Sequence, residues 1–138
     1  MSAINDLSVR CVGYFLDDGA DGTPVDMDLG YSLSDQLAVV AVFPLHARSW
    51  RFGRDVLIDA IRTGSGGVPG GDIRCRIEAS ELGQLVVLAM HSPDGTATLA
   101  FPVDPIRMLV DNSLLLVPAG DERVDVDAFI ARCFEVAS

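Results

Sequence analysis

Long apolar runs, lysine and closely spaced cysteines are all missing from this chain of 138 residues. Its longest apolar run, residues 37–43, has the length of a strand, whereas a membrane-spanning helix needs about 20 apolar residues. The first six residues, Met-Ser-Ala-Ile-Asn-Asp, lack the basic and apolar regions of a secretory signal. We therefore expect a cytoplasmic protein that does not insert into membranes.

Residues that bind metals are few and scattered. Cys11, Cys75 and Cys133 lie far apart in the sequence, and His46 and His91 are the only histidines. Zinc sites and disulfide frameworks both require closer or paired spacing. We therefore predict buried, unpaired cysteines, no metal and no other cofactor.

Two loops resemble ligand-binding motifs without completing them. Asp17, Asp21, Gly22 and Asp28 fall on four positions of a calcium-loop pattern, but Gly19 takes a ligand position and the flanks are strand-like rather than helical. The glycine-rich residues 64–71 have no lysine after them and follow a predicted helix, which is the reverse of a phosphate-binding loop. We predict an acidic hairpin for the first loop and a flexible connection for the second.

Basic residues are outnumbered by acidic residues. Ten arginines face twenty acidic residues, which gives a formal net charge of −10. A nucleic-acid backbone would be repelled by such a domain at long range, so nucleic-acid binding is disfavoured.

No pattern for nucleophilic catalysis is present. His91, Ser92 and Asp94 occur together, but they lie in one tight turn, whereas the members of a catalytic triad must converge in space in a defined chain of contacts. No nucleophile-elbow sequence occurs either. We therefore expect a protein that is not an enzyme.

Apolar residues make up 49% of the chain, enough for one packed domain over residues 1–138. Alternation and valine-rich runs predict strands at residues 9–16, 25–31, 37–43 and 48–52. A change of period then predicts a helix over residues 53–63, which Gly64 ends.

In the second half strands are again followed by helices, although the sequence shows no internal repeat. Strands are predicted at residues 72–78, 84–90 and 96–101, with a tight turn over residues 92–95 between the last two. Asp104 before Pro105 predicts a helix start, and Asp125 predicts the cap of a final helix through Phe134. These elements predict an α+β fold in which helices pack on a mostly antiparallel sheet that contains a β-meander.

Arginine marks the candidate binding surface. In the alternating strand at residues 72–78, Arg74 and Arg76 point away from the apolar face, as either simply solvated side chains or partner contacts. Arg48, Arg51 and Arg54 would enlarge such a patch if the fold gathered them.

Two aromatic residues have two possible roles. Trp50 and Phe52 alternate along a predicted strand, which favours a place in the core, although they could also stack on bases or contact a partner.

Several short segments resemble one family when they are taken in order. They are Tyr31 with Ala38-Val39 and Phe43, Trp50-Arg51-Phe52-Gly53-Arg54-Asp55-Val56-Leu57, Gly70-Gly71-Asp72-Ile73-Arg74, Ser92-Pro93-Asp94-Gly95-Thr96-Ala97, Phe101-Pro102 with Leu109, Val117-Pro118-Ala119-Gly120-Asp121-Glu122, and Asp125 and Asp127 with Phe129-Ile130. Their order and spacing are similar to those of the SsgA/SsgB-like sporulation and cell-division proteins of actinomycetes.

The resemblance implies a fold similar to the whirly single-strand-binding proteins, a homotrimer and no known catalytic residues. It also implies a role at division septa, where some members recruit the tubulin-like GTPase FtsZ. We therefore expect a non-catalytic adaptor that binds FtsZ or another SsgA-like protein. A whirly-like module for single-stranded nucleic acid is the alternative, and a deep pocket lined by titratable groups would favour an enzyme instead.

Overall fold

An antiparallel sheet of eight strands is the framework of the computed structural model, which describes residues 5–17, 22–123, 126–127 and 130–131. The strands are β1 (Leu7–Phe15), β2 (Pro24–Ser32), β3 (Asp35–Phe43), β4 (Arg48–Gly53), β5 (Ser65–Gly66), β6 (Ile73–Ser80), β7 (Gly83–Ser92) and β8 (Gly95–Pro102). Helix α1 (Arg54–Thr63) follows β4, and helix α2 (Val103–Leu116) follows β8. The predicted α+β fold, with its β-meander, is confirmed, and all seven predicted strands are present with boundaries within two residues.

The strand order is β4-β3-β2-β1-β8-β7-β6-β5, so β1 and β8 join two antiparallel halves at the centre. This central pairing is short, with Tyr14 opposite Ala100 and Phe15 opposite Leu99. Helix α1 contacts β3 and β4 in one half and β5 and β6 in the other, which requires the sheet to curl around it. Helix α2 packs across β1, β2 and β7.

Alternation places one apolar row from each long strand on the inner face of the curled sheet. Burial of this apolar surface is the main stabilising contribution to folding. The largest apolar side chains of this core that are fully buried are Tyr31, Phe101, Met27, Leu29, Leu57, Leu88, Leu99, Ile106 and Leu109.

The predicted end of helix α1 is confirmed, whereas helix α2 begins earlier than predicted. Gly64 ends α1 in the left-handed conformation at φ 96°, and its N–H donates to the Ala60 carbonyl, as predicted. Helix α2 begins at Val103 rather than after Asp104, because the extended backbone of Pro102 already serves as the cap position. Asp104 therefore lies inside the first turn and caps nothing.

Part of the predicted flexible connection at residues 64–71 is a strand. Residues Ser65 and Gly66 form β5 and pair with Arg76 and Cys75 of β6. Gly66 packs against α1 so closely that a Cβ atom there would collide with the carbonyl oxygen of Val56. Because Gly66 has no side chain, β5 can pack directly against the backbone of α1.

Some predictions fall outside the described residues. Of the final helix predicted from Asp125 to Phe134, residues 126, 127, 130 and 131 are helical, and the others are not described. Cys133 and the Asp21 position of the calcium-loop pattern are likewise outside the described residues.

Candidate functional site

Arg74 and Arg76 lie on the outer, exposed face of β6, as alternation predicted. In the register with β7 they stand opposite Ala89 and Val87. The Arg76 Nε donates to a Glu78 carboxylate oxygen at 2.7 Å, and both side chains of this pair are about half exposed, at 49% and 47%. Such a pair contributes little to stability and is easily exchanged for another partner.

Arg74 makes no hydrogen bond or ion pair with any other residue of the described ranges. It borders a pocket of about 400 Å³ on the same face of the sheet. The pocket is lined by Ser65, Gly66, Gly67, Pro69, Arg74, Cys75, Arg76, Ala89 and His91. Small side chains thus leave room beside two guanidinium groups, which suits a carboxylate because arginine presents a planar fork of donors.

The larger arginine patch is not formed, which corrects the expectation for Arg48, Arg51 and Arg54. Arg48 lies opposite the buried Phe43, on the inner face of the sheet, whereas Arg74 and Arg76 lie on the outer face. Arg51 donates twice to the carboxylate of Asp35, at 2.7 and 2.8 Å. Arg54 is only 1% exposed, so it cannot contact a partner.

Arg54 is instead the centre of a buried polar cluster. Its guanidinium donates to the carbonyls of Ser113 at 3.1 Å and Val117 at 2.8 Å, and to the Glu122 carboxylate at 2.8 Å. It also lies 5.0 Å from the centre of the Tyr31 ring, within cation–π distance. The cluster therefore joins the start of α1 to the end of α2 and to the segment that follows.

Glu122 holds the other end of this connection. Its second carboxylate oxygen accepts the Gly120 N–H at 2.8 Å. The hydrogen bond from Arg54 is the main reason that the pKa of Glu122 lies below its usual value, with backbone N–H groups adding to the effect. Next to it, the Arg123 N–H donates to the Gln36 side chain at 2.7 Å. This cluster was not predicted from the sequence.

A signal for the cluster is present in the sequence. Arg54 precedes Leu57, Ile58 and Ile61 at spacings of three, four and seven residues, so it lies on the apolar stripe of α1. A charged residue on such a stripe has to find a buried partner.

The two aromatic residues of β4 differ. Phe52 is buried in the core, as predicted. Trp50 is half-buried and packs against the core from its margin, where it also borders an open pocket.

The candidate nucleophiles and metal ligands do not converge in the described ranges. Cys11 and Cys75 are buried free thiols, as predicted, and burial raises their pKa values to about 11 and about 12. A thiol with such a pKa is almost entirely protonated at neutral pH and is a poor nucleophile. In residues 5–17, 22–123, 126–127 and 130–131, no group of three or more His, Cys, Asp and Glu side chains could hold a metal ion.

Aspartates of the calcium-loop pattern have other partners. Asp28 is paired with Arg10 across β1 and β2 at 2.9 Å, and the Asp17 carboxylate accepts the Thr98 N–H at 2.8 Å. The turn over residues 92–95 is held by the Ser92 hydroxyl, which accepts the Asp94 N–H at 3.2 Å and donates to Gly95 at 3.4 Å. Ser92 is thus a turn residue.

Comparison with known proteins identifies the family. The family model described as "Streptomyces sporulation and cell division protein, SsgA" matches residues 25–122. The chain belongs to the SsgA family. The match includes both Arg54 and Glu122, so the buried pair lies within the family segment, as does the Arg74–Arg76 face.

Relatives of this SsgA-family chain support the assignment. It is 31% identical over 120 residues to the sporulation-specific cell division protein SsgB of Salinispora tropica, covering 82% of each chain. It is 31% identical over 107 residues to SsgB of Streptomyces coelicolor, covering 75% of this chain and 76% of that one. A role in sporulation-linked cell division follows from this family membership.

Two solved structures share the fold. One, described as "Mutations in SsgB correlate to longitudinal cell division during sporulation of Streptomyces coelicolor", has a TM-score of 0.76 and 27% identity, covering 88% of this chain and 97% of that one. The SsgA-like sporulation-specific cell division protein from Thermobifida fusca has a TM-score of 0.77 and 27% identity, covering 96% and 99%. Within the described residues, no helix combines the length and the apolar composition that a membrane span requires.

Proposed function

We propose that this chain is a non-catalytic adaptor that binds division proteins through the Arg74–Arg76 face of β6. The observation that carries the proposal is the guanidinium of Arg74, which has no partner among the described residues, beside the weakly paired Arg76 at the edge of a pocket. In a protein with a net charge of −10, this face is a local positive site. Surrounding acidic groups repel most acidic proteins, so binding depends on a segment that fits the site.

The partner surface is an acidic segment of FtsZ or of another SsgA-like protein. Family membership supports a partner in the division machinery, and the two guanidinium groups favour a carboxylate ligand. The site of action is then the cytoplasm at division septa.

The adaptor acts as a homotrimer. Met108, Leu115 and Leu116 of α2 are exposed apolar residues, with Leu115 82% exposed, and a subunit contact would cover such surface. A trimer presents the Arg74–Arg76 face three times, so weak single contacts would add up on a partner polymer with repeated sites. Multi-angle light scattering should give three chain masses at micromolar concentration; a monomer would contradict this part of the proposal.

The face is tested by charge reversal. Arg74→Glu together with Arg76→Glu should abolish co-sedimentation with FtsZ polymers, or capture by an immobilised SsgA-like protein. Thermal stability should change little, because exposed substitutions cost within about 0.5 kcal/mol. The Arg10→Glu and Arg62→Glu double variant is the matched control, because it makes the same charge change at two exposed positions outside this face, one of them paired with a carboxylate as Arg76 is.

The results of this experiment distinguish an incorrect binding face from an incorrect function. A folded Arg74 and Arg76 double variant that binds as well as the unaltered protein would remove this face. Equal loss in both double variants would mean that net charge alone governs binding. Failure of the unaltered protein to bind either partner would remove the adaptor function itself.

A further inference from the structure

An apolar pocket lies at one open end of the curled sheet, on the inner side of the strands. Its volume is about 320 Å³, at the lower end of the range of roughly 300–1,000 Å³ for small-molecule sites. Both halves of the sheet contribute, since its lining comes from β1 to β4 and from β7 and β8. The mouth of a curled or barrel-like sheet is a common place for a ligand.

The floor and walls of the pocket are apolar. They are formed by Phe15, Val25, Phe43, Trp50, Met90, Ala97 and Leu99. Val25, Phe43, Met90 and Leu99 are buried members of the core, so the pocket reaches down to the packed interior. A ligand therefore needs an apolar body to gain from leaving water.

Polar groups stand only at the rim. Arg48, His46 and Asp94 border the pocket together with two serines. Arg48 and Trp50 lie two residues apart on β4 and thus point to the same, inner face, with Arg48 opposite Phe43 in the register. Asp94, by contrast, is at the exposed tip of the β7–β8 turn.

The position of the basic groups is set by the turn between β3 and β4. His46 ends a single 3₁₀ turn over Pro44–His46, and its ring meets Phe15 edge-on with centroids 6.0 Å apart. Ala47 then adopts the left-handed conformation at φ 51°, which returns the chain into β4 at Arg48. Within the described ranges Arg48 has no ion-pair or hydrogen-bond partner, so its charge is available to a ligand.

We propose that this pocket binds a small amphipathic anion. Its aromatic or aliphatic body lies against Trp50, Phe43 and Leu99, and its anionic group meets Arg48 at the rim. The site is distinct from the Arg74–Arg76 face, which lies on the outer side of the sheet, so the inference does not depend on the adaptor function. No hydrogen bond joins His46 to Ser49, Ser92 or Asp94 in the described residues, which favours binding over catalysis.

Trp50 is the only tryptophan of the chain and lines this pocket, although it also borders a second pocket beside Gly67 and Asp72, so the Ala97 variants decide where a probe binds. The probe is 1-anilinonaphthalene-8-sulfonate, which combines an aromatic body with a sulfonate and accepts energy from excited tryptophan. Titration should give saturable binding with energy transfer from Trp50, and decanoate should displace the probe. Thermal melts recorded in parallel establish that each variant is folded, because the dye also binds partly unfolded chains.

Three variants test the two parts of the proposal. Ala97→Phe should fill the pocket and abolish binding, and Ala97→Leu provides a milder change if the larger one prevents folding. Arg48→Gln should weaken binding about three- to tenfold, as for loss of a partly exposed charge-assisted hydrogen bond, whereas Asp94→Asn should strengthen it. Arg62→Gln is the matched control, with the same charge change on an exposed helical residue.

Three results would contradict the proposal. No saturable binding by the folded protein overturns the site. Binding that survives both Ala97 variants lies outside this pocket, with or without energy transfer from Trp50, and also overturns the site. Equal displacement by decanoate and by neutral decanol, with no effect of Arg48→Gln, refutes the anionic class of the ligand.

Discussion

At the scale of single residues, Arg54 is the buried charge on which the contact between the two helices depends. Its loss removes one donor from each of Glu122 and the carbonyls of Ser113 and Val117. Breaking a buried ion pair by removing one partner typically costs about 3–5 kcal/mol. Arg54→Ala should therefore lower the free energy of unfolding by about 3 kcal/mol, the lower end, because Glu122 is 16% exposed and regains some water.

Urea unfolding measures this loss. The control is Arg62→Ala, an exposed arginine of the same helix, which should change stability by no more than about 0.5 kcal/mol. A loss below about 1 kcal/mol for Arg54→Ala would show that the cluster contributes no more than an exposed ion pair.

Glu122 gives the cluster a dependence on pH. Its pKa in the folded protein lies below the ordinary value of 4.5, so its contribution is complete above that value and is lost as the pH falls through the lower, folded-state pKa. Glu122→Gln keeps the shape and cannot titrate. The stability difference between the unaltered protein and this variant should thus be largest near neutral pH and shrink in acid.

Thermal melts of both proteins across the acid range test this dependence of stability on pH. The other carboxylates are the same in both proteins, so their contribution cancels in the difference. A difference that stays constant into strong acid would mean that the negative charge of Glu122 does not stabilise the fold.

At the scale of elements, the close packing of β5 against α1 depends on the lack of a side chain at Gly66. In Gly66→Ala the added Cβ would overlap the Val56 carbonyl oxygen and approach the Ala60 backbone nitrogen, so β5 or α1 has to move. Overpacking of this kind typically costs about 1–3 kcal/mol. Urea unfolding should show that loss for Gly66→Ala, while Ser65→Ala, at the exposed neighbouring position, should remain near the unaltered value. Equal midpoints for the two variants would refute the close packing.

The strands were predictable because their signal is local. The alternation of Ile73, Cys75 and Ile77 with Arg74 and Arg76 is complete within one strand, and the structure confirms which side is exposed. A strand of two residues such as β5 has no period to detect, so pairing with β6 alone defines it. The start of α2 depends on the backbone of Pro102, whereas the sequence signal was the side chain of Asp104.

At the scale of the whole molecule, the curl of the sheet decides what lies together. Alternation predicted the exposed positions of Arg74 and Arg76, although their binding role stays a prediction. The pocket at Trp50 could not be predicted, because it needs β4 and β8 to face one another across the curl. The Arg54–Glu122 pair likewise joins residues that are 68 positions apart, and only the fold defines such a contact.

Net charge gives the last prediction, which concerns nucleic acids. Non-specific binding to DNA depends mainly on basic groups that displace counterions from phosphates, and this chain has a net charge of −10. Single-stranded binding sites combine a basic groove with aromatic residues exposed for stacking. Here Phe52 is buried and Trp50 is half-buried on the inner face. We therefore expect a dissociation constant weaker than about 10⁻⁴ M at physiological salt.

Fluorescence anisotropy with a labelled thymidine oligonucleotide measures this affinity, and a series of salt concentrations separates charge from stacking. Binding that weakens steeply with salt and disappears in the Arg74→Glu and Arg76→Glu double variant would mean that the pocket on β6 accepts phosphate as well as carboxylate. Sub-micromolar binding that persists at high salt would contradict the prediction outright. It would place a stacking surface on the protein and favour the nucleic-acid module over the adaptor.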